Sequence, residues 1–262
     1  MCKIISVINE KGGVAKTTTV YTVSECLAKQ GKRVLMIDFD PQSSLTVMAG
    51  FEEINQMPKT IAHLMSDSID KRENLNLNYD IAELRNGVFF IPANKELTAI
   101  EVSLVNVMSR EYVLADILEQ LKSDYDYIII DCSPSLGLLT INALATSDSV
   151  IIPVTAEYLS AKGLEMLLET ILRIKRRINP QLDIEGILFT QFKERNRLTK
   201  AVVKMIVDAY GGVIPIFQQT IAYSTKVAQA AMYQKSIVEY APQHKAAQAY
   251  IQVAEEIIAN EE

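Results

Sequence analysis

The sequence predicts an α/β fold: a doubly wound, mostly parallel sheet with helices on both faces. Apolar runs of strand length alternate with stretches of helical periodicity, which is the order that βαβ units produce. Most of these runs are apolar almost without interruption, as in parallel strands that helices cover on both sides. A glycine-rich turn between the first run and the first helix is the third indication. The predicted strands are residues 4–8, 33–37, 88–92, 127–131, 149–154, 184–190 and 213–215.

Helical stretches lie between and after these strands, at residues 18–30, 160–178, 198–210 and 242–259. The last of them begins with a proline, which suits a first helical turn, and repeats apolar residues at helical spacing. Residues 50–87 are the least regular and most polar part, so we expect helices and loops on the rim of the sheet there. Without an internal repeat or a linker, we expect a single domain over residues 1–262.

Composition limits the possible classes of protein. The chain has 262 residues, of which 49% are hydrophobic, and a net charge of −6, so any contact with DNA or anionic membrane needs a local basic patch. Cys2, Cys26 and Cys132 are too few and scattered for a disulfide framework or a zinc site. With neither a secretory signal nor an apolar run of about 20 residues, we expect a reduced, cytoplasmic protein.

Residues 9–19, which read Asn-Glu-Lys-Gly-Gly-Val-Ala-Lys-Thr-Thr-Thr, predict a phosphate-binding loop. Its glycines allow several N–H groups to converge on one anion, and the helix that follows adds its positive end. Ala15 stands where the ordinary pattern has its last glycine, which the loop accepts if this residue has ordinary backbone angles. An incidental Gly-Gly turn is the alternative. The predicted nucleotide-binding residues are Lys11, Gly12, Gly13, Val14, Ala15, Lys16, Thr17 and Thr18.

Lys11 is a second lysine, which lies before the glycines and cannot easily curl back onto its own nucleotide. It is positioned to reach a phosphate bound by a second copy of the chain, although a solvated surface lysine is the alternative. Lys-Gly-Gly-x-x-Lys-Thr, at residues 11–17, resembles the deviant P-loop ATPases of the ParA/MinD group. The resemblance implies ATP as the nucleotide and an ATP-sandwich homodimer whose interface Lys11 crosses. It makes Lys11 and Lys16 catalytic candidates.

Carboxylates end two of the predicted strands. Asp38 and Asp40 alternate at the end of the second strand, and Asp131 ends the fourth. The carboxyl ends of parallel strands face the ligand crevice, where carboxylates order a water or hold Mg²⁺. A polar strand end that caps the next helix is the alternative. We expect Thr17, Asp38 and Asp131 to hold Mg²⁺.

The resemblance covers almost the whole chain and assigns further roles. Residues 38–42, Asp-Phe-Asp-Pro-Gln, have the ParA form of this segment, which implies that Asp40 positions the attacking water. Residues 131–135 resemble the switch loop that senses the γ-phosphate, and residues 92–101 resemble a strand exit followed by the interface helix. Thr190 and Gln191 end a late strand where the family contacts the adenine base. After residue 215 the match is looser, because Tyr223 stands where many ParA proteins have arginine.

A basic stretch between residues 173 and 204 predicts a surface for the phosphate backbone of DNA. A solvated helix face is the alternative. By position within the family, Arg195 and Arg197 are candidates for non-specific DNA contact. Lys200 of the basic stretch and Lys226, close to Tyr223 in sequence, are further candidates.

Partition or positioning of a cargo (a plasmid, a chromosome or a protein assembly such as a carboxysome) is the leading hypothesis for function. The ATP-bound form would associate with the nucleoid, and a ParB-like or adaptor protein would stimulate hydrolysis. A MinD-like membrane-surface ATPase is one alternative, but the acidic end of the chain disfavours membrane. An electron-transfer ATPase like nitrogenase iron protein is another, and Cys26 and Cys132 would be its poorly placed cluster ligands. A non-catalytic, nucleotide-gated scaffold is a fourth class.

Overall fold

The computed structural model describes residues 2–51, 59–70, 81–84 and 86–261, with the side chains of all of these except residues 158–161. Seven strands form one sheet: β1 (Lys3–Val7), β2 (Val34–Phe39), β3 (Ala82–Glu83), β4 (Phe89–Ile91), β5 (Tyr127–Cys132), β6 (Ser149–Thr155) and β7 (Asp183–Thr190). Their order is β3-β4-β2-β5-β1-β6-β7. Only the β3–β4 pair among them is antiparallel, so the predicted, mostly parallel sheet is confirmed.

Helices cover both faces of this sheet. On one face lie α3 (Ile61–Ile69), α4 (Leu97–Leu104), α5 (Val113–Glu119), α6 (Leu138–Thr146), α7 (Tyr158–Arg177) and α8 (Arg197–Tyr210). On the other lie α1 (Lys16–Lys29), α2 (Ser44–Met48), α9 (Thr225–Met232), α10 (Ile237–Tyr240) and α11 (Lys245–Ala259). The doubly wound arrangement is therefore confirmed.

The uninterrupted apolar strands follow from this layering. Along β5, Ile128 and Ile130 enter one hydrophobic core, and Tyr127 and Ile129 enter the other. Because successive side chains of a strand point to opposite faces, a strand that is buried on both sides needs apolar residues at every position. The order of the sheet then sets the carboxyl ends of β2, β5 and β1 side by side.

One predicted strand is wrong. Residues 213–215 form a turn after α8, and Val213 is exposed. The segment that follows runs along the edge of β7 as an isolated bridge, in which the N–H of Ile187 donates to the carbonyl of Pro215 at 2.9 Å. Proline has no N–H of its own to donate, which limits regular pairing here. Of the region 50–87, the structure describes α3 and β3; residues 52–58, 71–80 and 85 lie outside the described residues.

Candidate nucleotide-binding site

A cavity of about 460 Å³ lies at the carboxyl ends of the central strands, beside the loop that joins β1 to α1. It is enclosed by the glycine-rich loop with the start of α1, the segments after β2, β5 and β7, the region from residue 221 to α9, and one residue of α11. It is lined by Gly12, Gly13, Ala15, Lys16, Thr17, Thr18, Asp40, Ser44, Pro134, Gln191, Ile221, Ala222, Tyr223, Ser224, Val227, Ala228, Ala231 and Tyr250. The predicted loop and Asp40 are thus brought together at one site.

The loop has two residues with left-handed backbone, Gly13 (φ 73°) and Ala15 (φ 68°). The condition of ordinary backbone angles, under which the loop would accept Ala15, is therefore not met. Its left-handed conformation ends the loop, and the carbonyl of Ala15 then accepts the N–H of Thr19 to begin α1. An L-residue with a Cβ meets roughly 1–2 kcal/mol of strain in this conformation, which explains why a glycine is the usual residue here.

The end of β7 holds the loop from the outside. The buried hydroxyl of Thr190 donates to the carbonyl of Val14 at 2.9 Å, and Nε2 of Gln191 donates to the carbonyl of Gly13 at 2.5 Å. Gln191 also lines the cavity, whereas Thr190 lies behind the loop. The two predicted base contacts therefore also fix the loop that surrounds the phosphate position.

Lys16 lies buried at the start of α1, with its ammonium turned onto the loop. Its Nζ donates to the carbonyl of Asn9 at 2.9 Å and to that of Lys11 at 3.4 Å. Burial lowers the pKa of Lys16, and the charge of Asp131 is the largest influence that raises it. A phosphate in the cavity would replace weak carbonyl acceptors with a full negative charge.

Lys11 points away from the loop, towards the end of β6. Its Nζ forms an ion pair with the carboxylate of Glu157 and donates to the hydroxyl of Thr155 at 3.4 Å. This pairing lowers the pKa of Glu157, whose side chain is largely exposed. Lys11 is absent from the lining of the cavity, so its ammonium lies outside the chain's own phosphate position.

Asp38 and Asp131 are direct partners in the register of β2 and β5. Both are buried, and burial is the main reason that their pKa values are raised, that of Asp38 to about 6. The Oδ2 atom of Asp38 accepts the N–H and the hydroxyl of Thr46, at 2.8 and 2.7 Å. Asp38 therefore anchors α2, and its negative charge also raises the pKa of Asp131.

Asp131 fits a magnesium ion better than Asp38 does. The side chain of Thr17 and the charge of Lys16 both act on Asp131 to lower its pKa in part. The Oδ1 atom of Asp131 is buried without a hydrogen-bond partner among the described residues. An orphaned carboxylate oxygen beside a threonine hydroxyl is the oxygen donor set that Mg²⁺ prefers, so the residues present fit the ion.

Asp40 lies half-buried where β2 ends, on the wall of the cavity. Its Oδ1 accepts the N–H of Gln42 at 2.9 Å, which fixes the carboxylate relative to the backbone. Pro134, from the segment after β5, lines the same cavity. A carboxylate that is held by its own turn and faces the cavity is placed to order a water.

The resemblance places a second base-contacting loop at residues 220–236, in agreement with the lining of the cavity, but sequence reasoning named no individual residue of that wall as a nucleotide contact and missed the contribution of α11. Tyr250 of α11 lines the cavity, and its hydroxyl lies 3.1 Å from that of Thr19. Val227, Ala228 and Ala231 of α9 add an apolar surface. The helical spacing of Tyr250 predicted only a core residue, because a pattern within one helix does not reveal which distant element it meets.

The predicted DNA contacts Arg195, Arg197, Lys200 and Lys226 are all exposed. Arg195 lines a second cavity of about 370 Å³ together with Lys193, Tyr223, His244 and Lys245. Tyr223 and Ala222 line both this cavity and the first one. Lys193, Arg195 and Lys245, with Glu194 paired to Lys245, therefore border the nucleotide cavity through one shared segment.

The basic stretch does not form one patch. Arg173, Arg176 and Arg177 lie at the C-terminal end of α7, where Lys175 pairs with Asp183 at the start of β7. Arg195 and Arg197 follow the other end of β7, which is roughly 23 Å away along an eight-residue strand. We therefore treat the residues after β7 as one surface and those at the end of α7 as another.

Two observations bear on the alternative classes. The apolar face of α11 packs into the core beside α1, with Tyr250, Val253 and Ile257 buried; no helix in the described part of the chain has the length and apolarity to cross a membrane. Cys26 and Cys132 are buried, and burial raises the pKa of both thiols to about 12. Neither thiol is placed to share a cluster with a second subunit at a surface.

This fold and this loop define a P-loop nucleotide-binding protein. Over residues 2–184 the chain matches a family model described as an AAA domain. It is 38% identical to the sporulation initiation inhibitor protein Soj of Bacillus subtilis, over 99% of this chain and 100% of that protein. It is 37% identical to the chromosome partitioning protein ParA of Myxococcus xanthus, over 98% and 88%. The chain belongs to the ParA/Soj family of P-loop ATPases, which confirms the family expected from the loop.

A solved structure agrees in fold. It is the crystal structure of a Mycobacterium smegmatis protein described as cobyrinic acid a,c-diamide synthase, with bound ATP analog and magnesium. That chain is 30% identical, with a TM-score of 0.84, and the match covers 99% of this chain and 96% of the other.

Proposed function

We propose that this chain is a ParA-type partition or positioning ATPase, with residues 1–262 as one ATPase domain. ATP with Mg²⁺ joins two copies into a dimer, the dimer binds duplex DNA without sequence preference, and hydrolysis returns it to monomers. The observation that carries this proposal is Lys11, a lysine beside the phosphate cavity whose ammonium is held outside it. The names of the Soj and ParA relatives support partition as the process.

The nucleotide part of the proposal rests on the first cavity. Backbone N–H groups of residues 12–18 surround the phosphate position, and Lys16 needs only to leave two carbonyls to meet a phosphate. Thr17 and Asp131 would hold Mg²⁺, which neutralises charge on the outer phosphates when bound. The relative that was crystallised with an ATP analog and magnesium supports ATP and Mg²⁺ as the molecules that bind in this cavity.

Hydrolysis is assigned to Asp40. Its carboxylate is fixed by the N–H of Gln42 and faces the cavity, so it orients a water and accepts its proton. Positioned groups of this kind commonly contribute about 10²–10⁴ in rate. A ParB-like or adaptor protein would complete the site and stimulate hydrolysis. The reaction would take place in the cytoplasm, and at the nucleoid when the dimer is bound to DNA.

Dimerisation is assigned to Lys11. In the single chain its ammonium lies between Glu157 and Thr155, at the end of β6. To contact a phosphate of a second copy, the ammonium of Lys11 must leave its contacts within the chain, Glu157 and Thr155 among them. Since Glu157 and Lys11 are both partly exposed, their pair contributes little to stability and is readily exchanged.

Light scattering with ATP, ADP or no nucleotide tests this function. The parent chain should double in mass with ATP only. Lys11→Ala should stay monomeric with ATP while it still binds nucleotide, because Lys16 and the loop are unchanged. Lys204→Ala, which removes an exposed lysine from α8, is the matched control and should dimerise as the parent does. A Lys11→Ala dimer at the parental ATP concentration contradicts the trans role; a parent that stays monomeric contradicts the function.

A further inference from the structure

Glu101 of α4 reaches across to the first turn of α6. Its Oε1 accepts the N–H of Leu139 at 3.5 Å, and its side chain lies directly over Gly137. A Cβ placed on Gly137 would overlap Oε1 of Glu101 and lie 3.2 Å from its Cδ. The backbone of Gly137 (φ −77°, ψ −172°) is open to any residue, so the missing side chain makes room for the carboxylate.

This carboxylate replaces a helix cap. Gly137 is the N-cap residue of α6 and has no side chain to accept the first free N–H groups. A negative charge at this end of a helix is favourable, because the N–H groups and the dipole are positive there. Glu101, which comes from another helix, therefore supplies the cap that the sequence of α6 omits.

The same turn of α6 also holds the segment that approaches the nucleotide. Residues 133–137 join β5 to α6, and Pro134 among them lines the nucleotide cavity. The hydroxyl of Thr140 donates to the carbonyl of Ser135 at 2.5 Å, and the hydroxyls of Ser133 and Ser135 lie 3.0 Å apart. A continuous series of contacts thus runs from the cavity through this segment to Glu101.

We propose that Glu101 is a positioning residue that couples α4 to the segment 133–137. Through this coupling, occupation of the outer phosphate position in the cavity changes the position of α4. The inference rests on the proposed function, since it assumes that ATP and ADP fill the cavity differently. Movement of Pro134 would displace the first turn of α6, and the carboxylate would carry this displacement to α4. Removing Glu101 should therefore weaken the response to ATP and leave simple nucleotide binding intact.

Two different substitutions should break the same contact. Glu101→Ala removes the carboxylate, and Gly137→Ala displaces it because the new methyl group occupies its place. Each should weaken ATP-dependent dimerisation by about fivefold, the factor that corresponds to ~1 kcal/mol, with affinity for ADP within about twofold of the parent. The double variant should be no weaker than either single one. Glu101→Gln, whose amide oxygen can accept the same N–H, should recover most of the effect.

Glu119→Gln, at the exposed end of α5 and outside the segments assigned to the site or the interface, is the control and should behave as the parent does. The inference is overturned if Glu101→Ala dimerises as the parent does, if its ADP affinity falls in parallel, or if the two effects add in the double variant. Should the parent bind ATP without dimerising, the proposed function fails and hydrogen exchange decides the inference separately. Amides 138–140 must then exchange faster in both single variants than in the parent, and unchanged exchange overturns the inference.

Discussion

At the scale of residues, the site is defined by charges that the fold removes from water. Asp38, Asp131 and Lys16 are all buried at the ends of β2, β5 and the loop. Burial raises the pKa of the two carboxyl groups and lowers that of the ammonium. The protonation state of each group then depends on the other two groups and on fixed hydrogen-bond donors. This is the arrangement expected at a site that binds phosphate and a metal ion.

The burial of Asp38 should make the stability of the folded chain depend on pH. The pKa of Asp38 is about 6 in the folded chain, against about 4 when unfolded. A raised carboxyl pKa means that the folded state binds the proton more tightly, so stability is lost as pH rises from about 4 to about 6. Asp38→Asn removes this dependence on pH, and because the charge of Asp38 raises the pKa of Asp131, it also lowers that pKa, which favours the variant at high pH in the same direction. Relative to the parent, the variant should therefore be more stable at pH 7.5 than at pH 5.0, by about 1 kcal/mol.

Thermal unfolding with EDTA at the two pH values measures this difference. Asp208→Asn, on the exposed face of α8, is the control for exchanging one carboxylate for an amide. Comparing two pH values cancels any change in packing that the amide introduces near Thr46. If the difference between Asp38→Asn and the parent is the same at both values, Asp38 is not the titrating group.

At the scale of elements, the loop between β1 and α1 has a strained backbone at one residue, and a different residue there would relieve the strain. Ala15 holds a left-handed backbone at the position where glycine would be unstrained. Hydrogen bonds from Thr190, the last residue of β7, and from Gln191 after it hold the residues just before Ala15. The loop is therefore fixed by the end of β7 before any ligand enters, and this limits the ordering that phosphate binding requires.

Ala15→Gly should stabilise the chain. Glycine relieves roughly 1–2 kcal/mol of strain and costs about 0.4–1 kcal/mol through the greater freedom of the unfolded chain. The midpoint of thermal unfolding should rise by about 1–4 °C. Ala201→Gly, in the exposed interior of α8, is the matched control and should lower it, because glycine disfavours a helix by ~1 kcal/mol. An equal fall of the midpoint in both variants would show that the backbone of Ala15 is not strained.

Local patterns in the sequence predicted the elements better than the contacts between them. Continuous apolar runs identified six of the seven strands of the described sheet, since burial on both faces fixes each residue independently. The hydrogen bond from Thr190 to Val14 and the contact of Tyr250 with Thr19 both join residues far apart in sequence. No periodicity within one segment encodes such a meeting, and the cap of α6 by Glu101 is a further case.

At the scale of the whole molecule, a net charge of −6 is combined with two separate basic surfaces. The surface after β7, with Arg195 and Arg197, borders the nucleotide cavity through Tyr223. The surface at the end of α7, with Arg173 and Arg176, lies at the opposite end of the sheet. Only the first is placed to change with the nucleotide, so it is the one that we expect to bind DNA.

Binding of duplex DNA by the Asp40→Ala variant tests nucleotide-gated DNA binding most directly. Without the group that orders water, the ATP-bound dimer should persist, and a mobility-shift titration at several salt concentrations then compares ATP with ADP. We expect binding with ATP only, and a slope of log affinity against log salt that steepens by about 0.9 for each DNA phosphate that the dimer neutralises. Adding Arg195→Glu and Arg197→Glu should abolish binding, and the same charge change at Arg173 and Arg176 should preserve it. Equal binding with ADP and ATP, or no binding with either nucleotide at low salt, would contradict nucleotide-gated DNA binding.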